Sequence, residues 1–293
     1  MNRRSFLAGA ASLAIPSSQA ATPAMIIDTH THFYNPMRPG GTPWPPKDDK
    51  VLYRTVLPPE YLRMTKALGI TGTIEVEASP LLEDNQWVLD LAAKHPIIVG
   101  TVGDIEAGKP GFGAALERFH KNPLFLGIRC GYLWGRDLGK DMANPQFIAD
   151  LKSLAAAGLE MDSGGPNTLA DLVRITDRIP NLRIVIDHLP YDPPYDQTAM
   201  KELGKRPQVY IKLSSVVRDA KGTYSRAAVD ELWDTFGADR LIYGSNWPVS
   251  DKIAPFQVEF KVVSEYFAAK GQEATDKYFW KNSKAAYKWV RRS

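Results

Sequence analysis

From residue 25 onward, short apolar runs alternate with helical stripes. Runs at Met25–Asp28, Thr71–Glu77, Ile97–Val102, Leu124–Arg129, Gly158–Asp162, Arg183–Asp187, Val209–Leu213 and Arg240–Tyr243 read as eight strands. In the second run Thr73, Glu75 and Glu77 share one face, and Ile74 and Val76 the other, the period-two pattern of a strand. Helical patterns fill the gaps near 58–68, 81–94, 111–121, 144–157, 166–178, 195–205, 223–236 and 253–269. Over 223–236, for example, Ala227, Leu232, Trp233 and Phe236 form one stripe. Asn144-Pro145 and Gly165-Pro166 have the look of helix starts.

Seven of these units run about 25 to 35 residues, the size of a β–α repeat. Eight strands, each followed by a helix, predict an α/β fold: a TIM-type (β/α)8 barrel without free edges. An open doubly wound sheet is the rival. No Gly-x-Gly-x-x-Gly follows the first strand, so a dinucleotide crevice has no support. Residues 34–57 form an extended loop after strand 1, and residues 272–290 an extra C-terminal helix. Long loops in compact domains are usually functional. Trp44 in this one can close over a ligand or pin the loop to the body.

Composition narrows the class. The chain has 293 residues, 44% hydrophobic and 24% charged, with 22 Gly, 22 Pro and one Cys. Fibrous, disordered and disulfide-stapled proteins are excluded. Cys130 lies in an apolar run and reads as a small core residue. The net charge of +3 argues against a nucleic-acid surface.

Arg3 and Arg4 precede an apolar run, Phe6–Ile15, closed by Pro16 and a small-x-small Ser18-Gln19-Ala20. Residues 1–20 therefore read as a signal peptide of the twin-arginine kind, leaving residues 21–293 as a single exported, periplasmic domain. The run is too short to span a bilayer, so no stable membrane association is expected.

Five histidines occur, at 30, 32, 95, 120 and 188. His30 and His32 lie just past the first strand, two apart, so extended backbone turns both rings to one side. Asp28 shares that side one step below. His188 ends the sixth strand, directly after Asp187. In a barrel, strand ends converge on one mouth, so three imidazoles meet there and can grip one metal ion or one substrate oxygen. His95 and His120 read as surface or capping residues.

Asp28-Thr29-His30-Thr31-His32-Phe33, Val185-Ile186-Asp187-His188-Leu189 and Leu241-Ile242-Tyr243-Gly244-Ser245-Asn246-Trp247-Pro248 resemble the amidohydrolase-related proteins. Within that superfamily the chain is most similar to the lactonase-like branch, which includes sugar lactonases and pyrone-dicarboxylate lactonase. Gly127-Ile128-Arg129, Tyr210-Ile211-Lys212-Leu213-Ser214 and Lys281-Asn282-Ser283-Lys284-Ala285 add to the resemblance, which covers nearly all of 25–290. It implies a barrel hydrolase in which His30, His32 and His188 contact one divalent metal (Zn or Mn) or, without metal, the scissile carbonyl. Arg129 would hold a substrate carboxylate or hydroxyl.

One departure matters. The eighth-strand carboxylate that activates water in the family is here Asn246. An amide neither takes a proton nor binds a metal well near neutral pH, though it can orient water or donate to an oxyanion. Glu77 is then the first choice for the base, with Glu160 and Asp162 behind it. Asp187 should point away by strand alternation. Arg129, Trp44, Tyr132, Trp134, Lys212 and Asp162 are candidate substrate contacts, and Arg129 could instead sit in an internal ion pair. The expected reaction is hydrolysis of a lactone or related cyclic ester of a small carboxylate- or hydroxyl-bearing substrate. Metal-dependent decarboxylation of an aromatic or unsaturated acid, and a non-catalytic small-carboxylate-binding barrel, are the alternatives. A homodimer is compatible with the resemblance, but no stretch marks an interface.

Overall fold

A computed structural model describes residues 21–191 and 194–292. The expected signal segment, residues 1–20, lies outside the described residues. Among these, eight parallel strands form one sheet in sequence order: β1 (Ile27–Thr31), β2 (Gly72–Val76), β3 (Ile98–Gly103), β4 (Phe125–Gly131), β5 (Glu160–Gly164), β6 (Arg183–Leu189), β7 (Val209–Leu213) and β8 (Leu241–Tyr243). The sheet rolls up until its first and last strands meet. Thr31 bridges Trp247 in parallel, and the His32 N–H donates to the Trp247 carbonyl at 2.9 Å. Side chains extend the seam, with Thr29 Oγ1 donating to the Tyr243 carbonyl at 2.7 Å. The (β/α)8 barrel expected from the alternation is the observed fold.

The helices are α1 (Pro58–Thr65), α2 (Asp84–Lys94), α3 (Phe112–His120), α4 (Leu138–Asp141), α5 (Pro145–Ala156), α6 (Leu169–Arg178), α7 (Gln197–Gly204), α8 (Arg226–Phe236), α9 (Phe256–Ala269), α10 (Gln272–Asp276) and α11 (Asn282–Tyr287). Several starts follow from local chemistry. Asn144, Asp196 and Ser225 each cap a helix by accepting a backbone N–H of its first turn. The single terminal helix expected over 272–290 is α10, a π-helical turn at Lys277–Lys281 and α11. The short α4 had no apolar stripe to announce it. No described helix is long and apolar enough to cross a membrane.

Two apolar layers result from strand alternation. Outward residues such as Ile98, Phe125, Ile128, Met161, Ile184, Ile211 and Leu241 pack against the helices. Cys130 belongs to this buried layer. Ile27, Ile74, Val76, Val99, Val102, Val185 and Ile242 pack inside the barrel, together with Tyr287 and Trp289. The C-terminal segment therefore plugs the end where the strands begin. Asn282 Nδ2 donates to the Ala238 and Leu241 carbonyls, both at 2.8 Å, and Arg292 to those of Ala92 and Ile98. With that end sealed, the barrel opens at the C-terminal ends of its strands.

Close approach of β4 to β5 requires glycine. A Cβ at Gly127 would lie 2.4 Å from the Glu160 carbonyl oxygen and 2.2 Å from its Oε1. Gly113 in α3 has no atom within 4 Å of such a Cβ. The two positions should respond oppositely to one methyl group. Gly127→Ala is expected to lower stability by about 1–3 kcal/mol through overpacking, and Gly113→Ala to raise it by up to about 1 kcal/mol. Chemical denaturation midpoints of the two variants check this.

Candidate active site

The strand ends surround a cavity of about 330 Å3. His32 from the end of β1, Glu77 after β2, Arg129 from β4, His188 from β6 and Asn246 after β8 all line it. Trp44, Tyr132 and Trp134 form its aromatic side. Eight of the residues singled out from the sequence thus share one opening. His30 lies directly beneath and is fully buried. Its ring centroid is 4.8 Å from that of His32 and 4.3 Å from that of His188. The convergence of β1 and β6 histidines is therefore observed.

Local backbone geometry sets these side chains. Five non-glycine residues among those described have positive φ: Trp134, His188, Ser215, Asn246 and Lys288. The first four all sit at the mouth, where each costs on the order of 1–3 kcal/mol. Specific contacts hold them. Asn246 Nδ2 donates to Ser215 Oγ at 3.2 Å, His188 Nδ1 lies 3.0 Å from Ser214 Oγ, and Trp134 Nε1 donates to Glu77 Oε2 at 3.1 Å. Ser214 entered only as the last residue of the Tyr210–Ser214 stretch, and Ser215 carries no sequence motif. Only their place after the seventh strand could have pointed to them.

The imidazoles are neutral at ordinary pH. Burial, reinforced by Arg129, holds His32 down to about 4. Burial, with Arg129 and Lys212 outweighing Asp187, holds His188 down to about 3. Burial and Lys212 keep His30 well below its usual range. His32 Nδ1 lies 2.8 Å from the Val76 carbonyl. A carbonyl only accepts, so Nδ1 carries the proton and Nε2 keeps its lone pair.

Glu77 is the opposite case. Burial pushes its carboxyl up to about 8, against the lowering influence of Arg129 and Trp134. Its Oε2 also accepts the Ser79 N–H at 3.1 Å.

Beneath the cavity lies a dry layer of charge. Lys212 on β7 is fully buried, as are Asp162 and Asp187. Its ammonium donates to Asp162 Oδ2 and lies 3.1 Å from His30 Nδ1 and 3.0 Å from Asp187 Oδ1. Arg129 Nε donates to Asp187 Oδ2 at 2.9 Å, and its Nη1 lies 3.7 Å from Glu77. Burial raises the Asp187 carboxyl, but Lys212 and Arg129 overcome it and hold it well below the usual range. Glu160 is pushed well above its usual range by burial and by Asp162. Lys212 and Arg129 thus face the Asp162 and Asp187 carboxyls.

Three expectations change. Lys212 and Asp162, candidates for the cavity wall, lie under it in an ion pair, because a buried ammonium needs a buried carboxylate. Asp187 points inward rather than away. The β6–β7 register shifts between Ile186 and Leu189 and His188 has φ +60°, so Asp187 and His188 both reach the barrel axis. Asp28 leaves the histidine side. The β1–β2 register shifts after it, and its carboxylate accepts from Tyr61 Oη at 2.7 Å and the Ser245 N–H at 2.8 Å. A group that could hold a metal ion is accordingly His30, Asp187 and His188, with donor atoms within 4.8 Å of one another. His32 is not part of it.

Comparison with known proteins agrees with the barrel fold. The amidohydrolase family model matches residues 27–289. An L-fucono-1,5-lactonase of Burkholderia ambifaria is 31% identical over 241 residues, covering 76% of this chain and 80% of that protein. Among solved structures, an amidohydrolase from Burkholderia multivorans with bound zinc has a TM-score of 0.79 at 22% identity, covering 91% of this chain and all of that one. The 5-carboxyvanillate decarboxylase of Sphingomonas paucimobilis has a TM-score of 0.66 at 13% identity, covering 91% and 99%.

The Glu77 environment can be tested directly. Its carboxyl, followed by infrared difference spectroscopy against Glu77→Gln, is expected to titrate near pH 8 rather than in the ordinary carboxylate range. Trp134→Phe removes a hydrogen bond to the charged form and should move that midpoint upward.

Proposed function

The chain belongs to the amidohydrolase family, and from that premise we propose that it hydrolyses the lactone of a small polyhydroxylated acid, a sugar lactone in kind. The observation that carries this reading is the single cavity in which neutral imidazoles, Asn246, Arg129 and the raised carboxyl of Glu77 meet. Support comes also from the lactonase relative at 31% identity.

The charge of the cavity favours a substrate with little charge of its own. Among the described residues Arg129 is its only cationic side chain, and its Nε is already committed to Asp187. A lactone with two carboxylates would find one cation, half neutralised. A hydroxylated ring instead meets polar groups on one side and the faces of Trp44, Tyr132 and Trp134 on the other, an arrangement suited to an amphipathic ring.

In the proposed reaction the substrate carbonyl rests over the histidine floor, with Arg129 orienting a hydroxyl or the ring. Glu77, when ionised, takes a proton from water as the water oxygen bonds to the carbonyl carbon. N–H groups of the floor and the Asn246 amide stabilise the oxyanion as it forms. Collapse of that intermediate breaks the bond from carbonyl carbon to ring oxygen, and the ring oxygen leaves with the proton held by Glu77. The product is the open hydroxy acid. Decarboxylation would need no water activation, whereas Glu77 at the cavity is suited to supply it.

Whether a divalent ion fits turns on charge rather than on donor count. His30, Asp187 and His188 supply donors, and His30 Nε2 is a buried nitrogen without a hydrogen-bond partner. Yet the negative charge of Asp187 is already offset by Lys212 and Arg129. An added dication would stand beside an ammonium, with Asn246 in place of a compensating carboxylate. The residues do not fit a resident divalent metal, and no step above uses one.

Purified protein should open aldonic-acid lactones far faster than dicarboxylate pyrones. Failure to turn over any member of a lactone panel, with or without added zinc or manganese, would overturn the reading. With Glu77 as base, kcat/KM is expected to rise with pH and level off above about 8, since only the ionised form accepts a proton. Glu77→Gln should lose about 10²–10⁴-fold. Activity is expected to survive exhaustive chelation. Asn246→Asp, by adding the missing negative charge, should raise zinc affinity measured by titration calorimetry.

A further inference from the structure

We propose that Lys212 is a positioning residue that fixes His30 as the Nε2–H tautomer, so that this N–H is the donor available to the substrate at the cavity floor. The use of the donor rests on the lactone reading above, but the tautomer does not.

The argument is one of hydrogen-bond accounting. An ammonium has three N–H groups and no acceptor. Lys212 is fully buried, so each must find a protein partner. Asp162 accepts one, and Asp187 lies at 3.0 Å from the same nitrogen. The third acceptor in reach is His30 Nδ1 at 3.1 Å. A nitrogen that accepts cannot carry the proton, so in the neutral ring the proton sits on Nε2.

Asp187 Oδ1 offers the competing arrangement, because it could accept from His30 Nδ1. It is farther, at 3.3 Å, and a proton on Nδ1 would also face the Lys212 ammonium at 3.1 Å, which has no lone pair to accept it. The ammonium therefore wins. Its own position is fixed from below: Asp162 Oδ1 accepts from Tyr287 Oη at 2.7 Å, and Tyr287 belongs to α11 in the plug of the barrel. The chain Tyr287–Asp162–Lys212–His30 runs from the sealed end to the floor of the cavity.

What remains is an orphan. His30 Nε2 has no hydrogen-bond partner and no exposure. It belongs to the ring packed against His32 and His188, both of which line the cavity. A buried N–H without a partner is costly, and in this position it is answered by a substrate oxygen that gains negative charge. Lys212 thus acts through His30 and never touches the substrate.

Nitrogen-15 NMR of histidine-labelled protein reads the tautomer without substrate, and the chain has only five histidines. His30 is expected as Nε2–H and His32 as Nδ1–H, the latter an internal control fixed by the Val76 carbonyl. Lys212→Met alone could leave two carboxylates unbalanced and fail to fold, so the decisive variant is Lys212→Met with Asp162→Asn. In it His30 should switch to Nδ1–H toward Asp187. On a turned-over lactone kcat should fall about 10²-fold, with KM changed much less. Tyr287→Phe, which leaves Lys212 in place, should keep the wild-type tautomer. His30 found as Nδ1–H in the wild type, or as Nε2–H in the double variant, would overturn the proposal. The expected tautomers in a protein that opens no lactone would sink the lactone reading and leave the assignment standing.

Discussion

The structure depends on an ammonium group buried where water cannot reach it. Lys212 has no exposure, nor do the Asp162 and Asp187 carboxylates around it. Removing charges from water is expensive, and the cost is offset only when geometry is good and every remaining hydrogen-bonding position is filled. The barrel supplies that geometry because β5, β6 and β7 each place one of the three groups at the same height on its axis. Removing one member of such a group costs about 3–5 kcal/mol, so these strands are tied to one another by charge as well as by their ladders. The same group decides much of the chemistry above it. It keeps His30 neutral and binds Arg129 through Asp187.

Above this dry layer the mouth is built from strained backbone. Trp134, His188, Ser215 and Asn246 adopt left-handed conformations that non-glycine residues avoid. Trp134, Ser215 and Asn246 follow β4, β7 and β8, and His188 lies near the end of β6; Trp134, His188 and Asn246 line the cavity, and Ser215 holds Asn246. The strain is maintained by bonds between turns: Asn246 to Ser215, Trp134 to Glu77. Catalytic geometry here is a property of the ring of loops, not of any one of them. The seam between β1 and the loop after β8 matters for the same reason, because it brings His32 and Asn246 to adjoining positions.

Much of this was legible in the residues. Eight apolar runs at β–α spacing predicted the barrel, and the spacing of His30, His32 and His188 predicted a shared mouth. Two things were hidden. Strand alternation assigns Asp187 to the outer face, yet a register shift and a positive φ at His188 turn it inward. No side-chain pattern announces such a shift, since it arises from how β6 meets β7. The other was depth. Lys212 and Asp162 do face the barrel axis, as strand parity suggests, but parity says nothing of whether a residue reaches the wet cavity or stays below it. The fate of Lys212 could have been argued from chemistry, because a lysine in an apolar strand needs carboxylates on neighbouring strands. Asp162 and Asp187 were the ones in reach.

Asn246 shows how a single substitution can be compensated across the barrel. Where the resemblance leads one to expect an acid, an amide stands, and the eighth strand offers neither a base nor a metal ligand. Two features elsewhere answer these two losses separately. Glu77, six strands away in sequence but on the same cavity, carries a carboxyl that burial lifts to about 8, where it can hold or release a proton near neutral pH. Lys212 provides positive charge beneath the histidines of the cavity floor. A carboxylate at 246 would disturb both, because it would add negative charge beside His32 and draw a cation into a site already balanced. The amide is therefore consistent with the rest of the site. It holds to Ser215 through a hydrogen bond and leaves the charge of the mouth to Arg129 and Glu77, so that the proposed base and the cation lie on different strands.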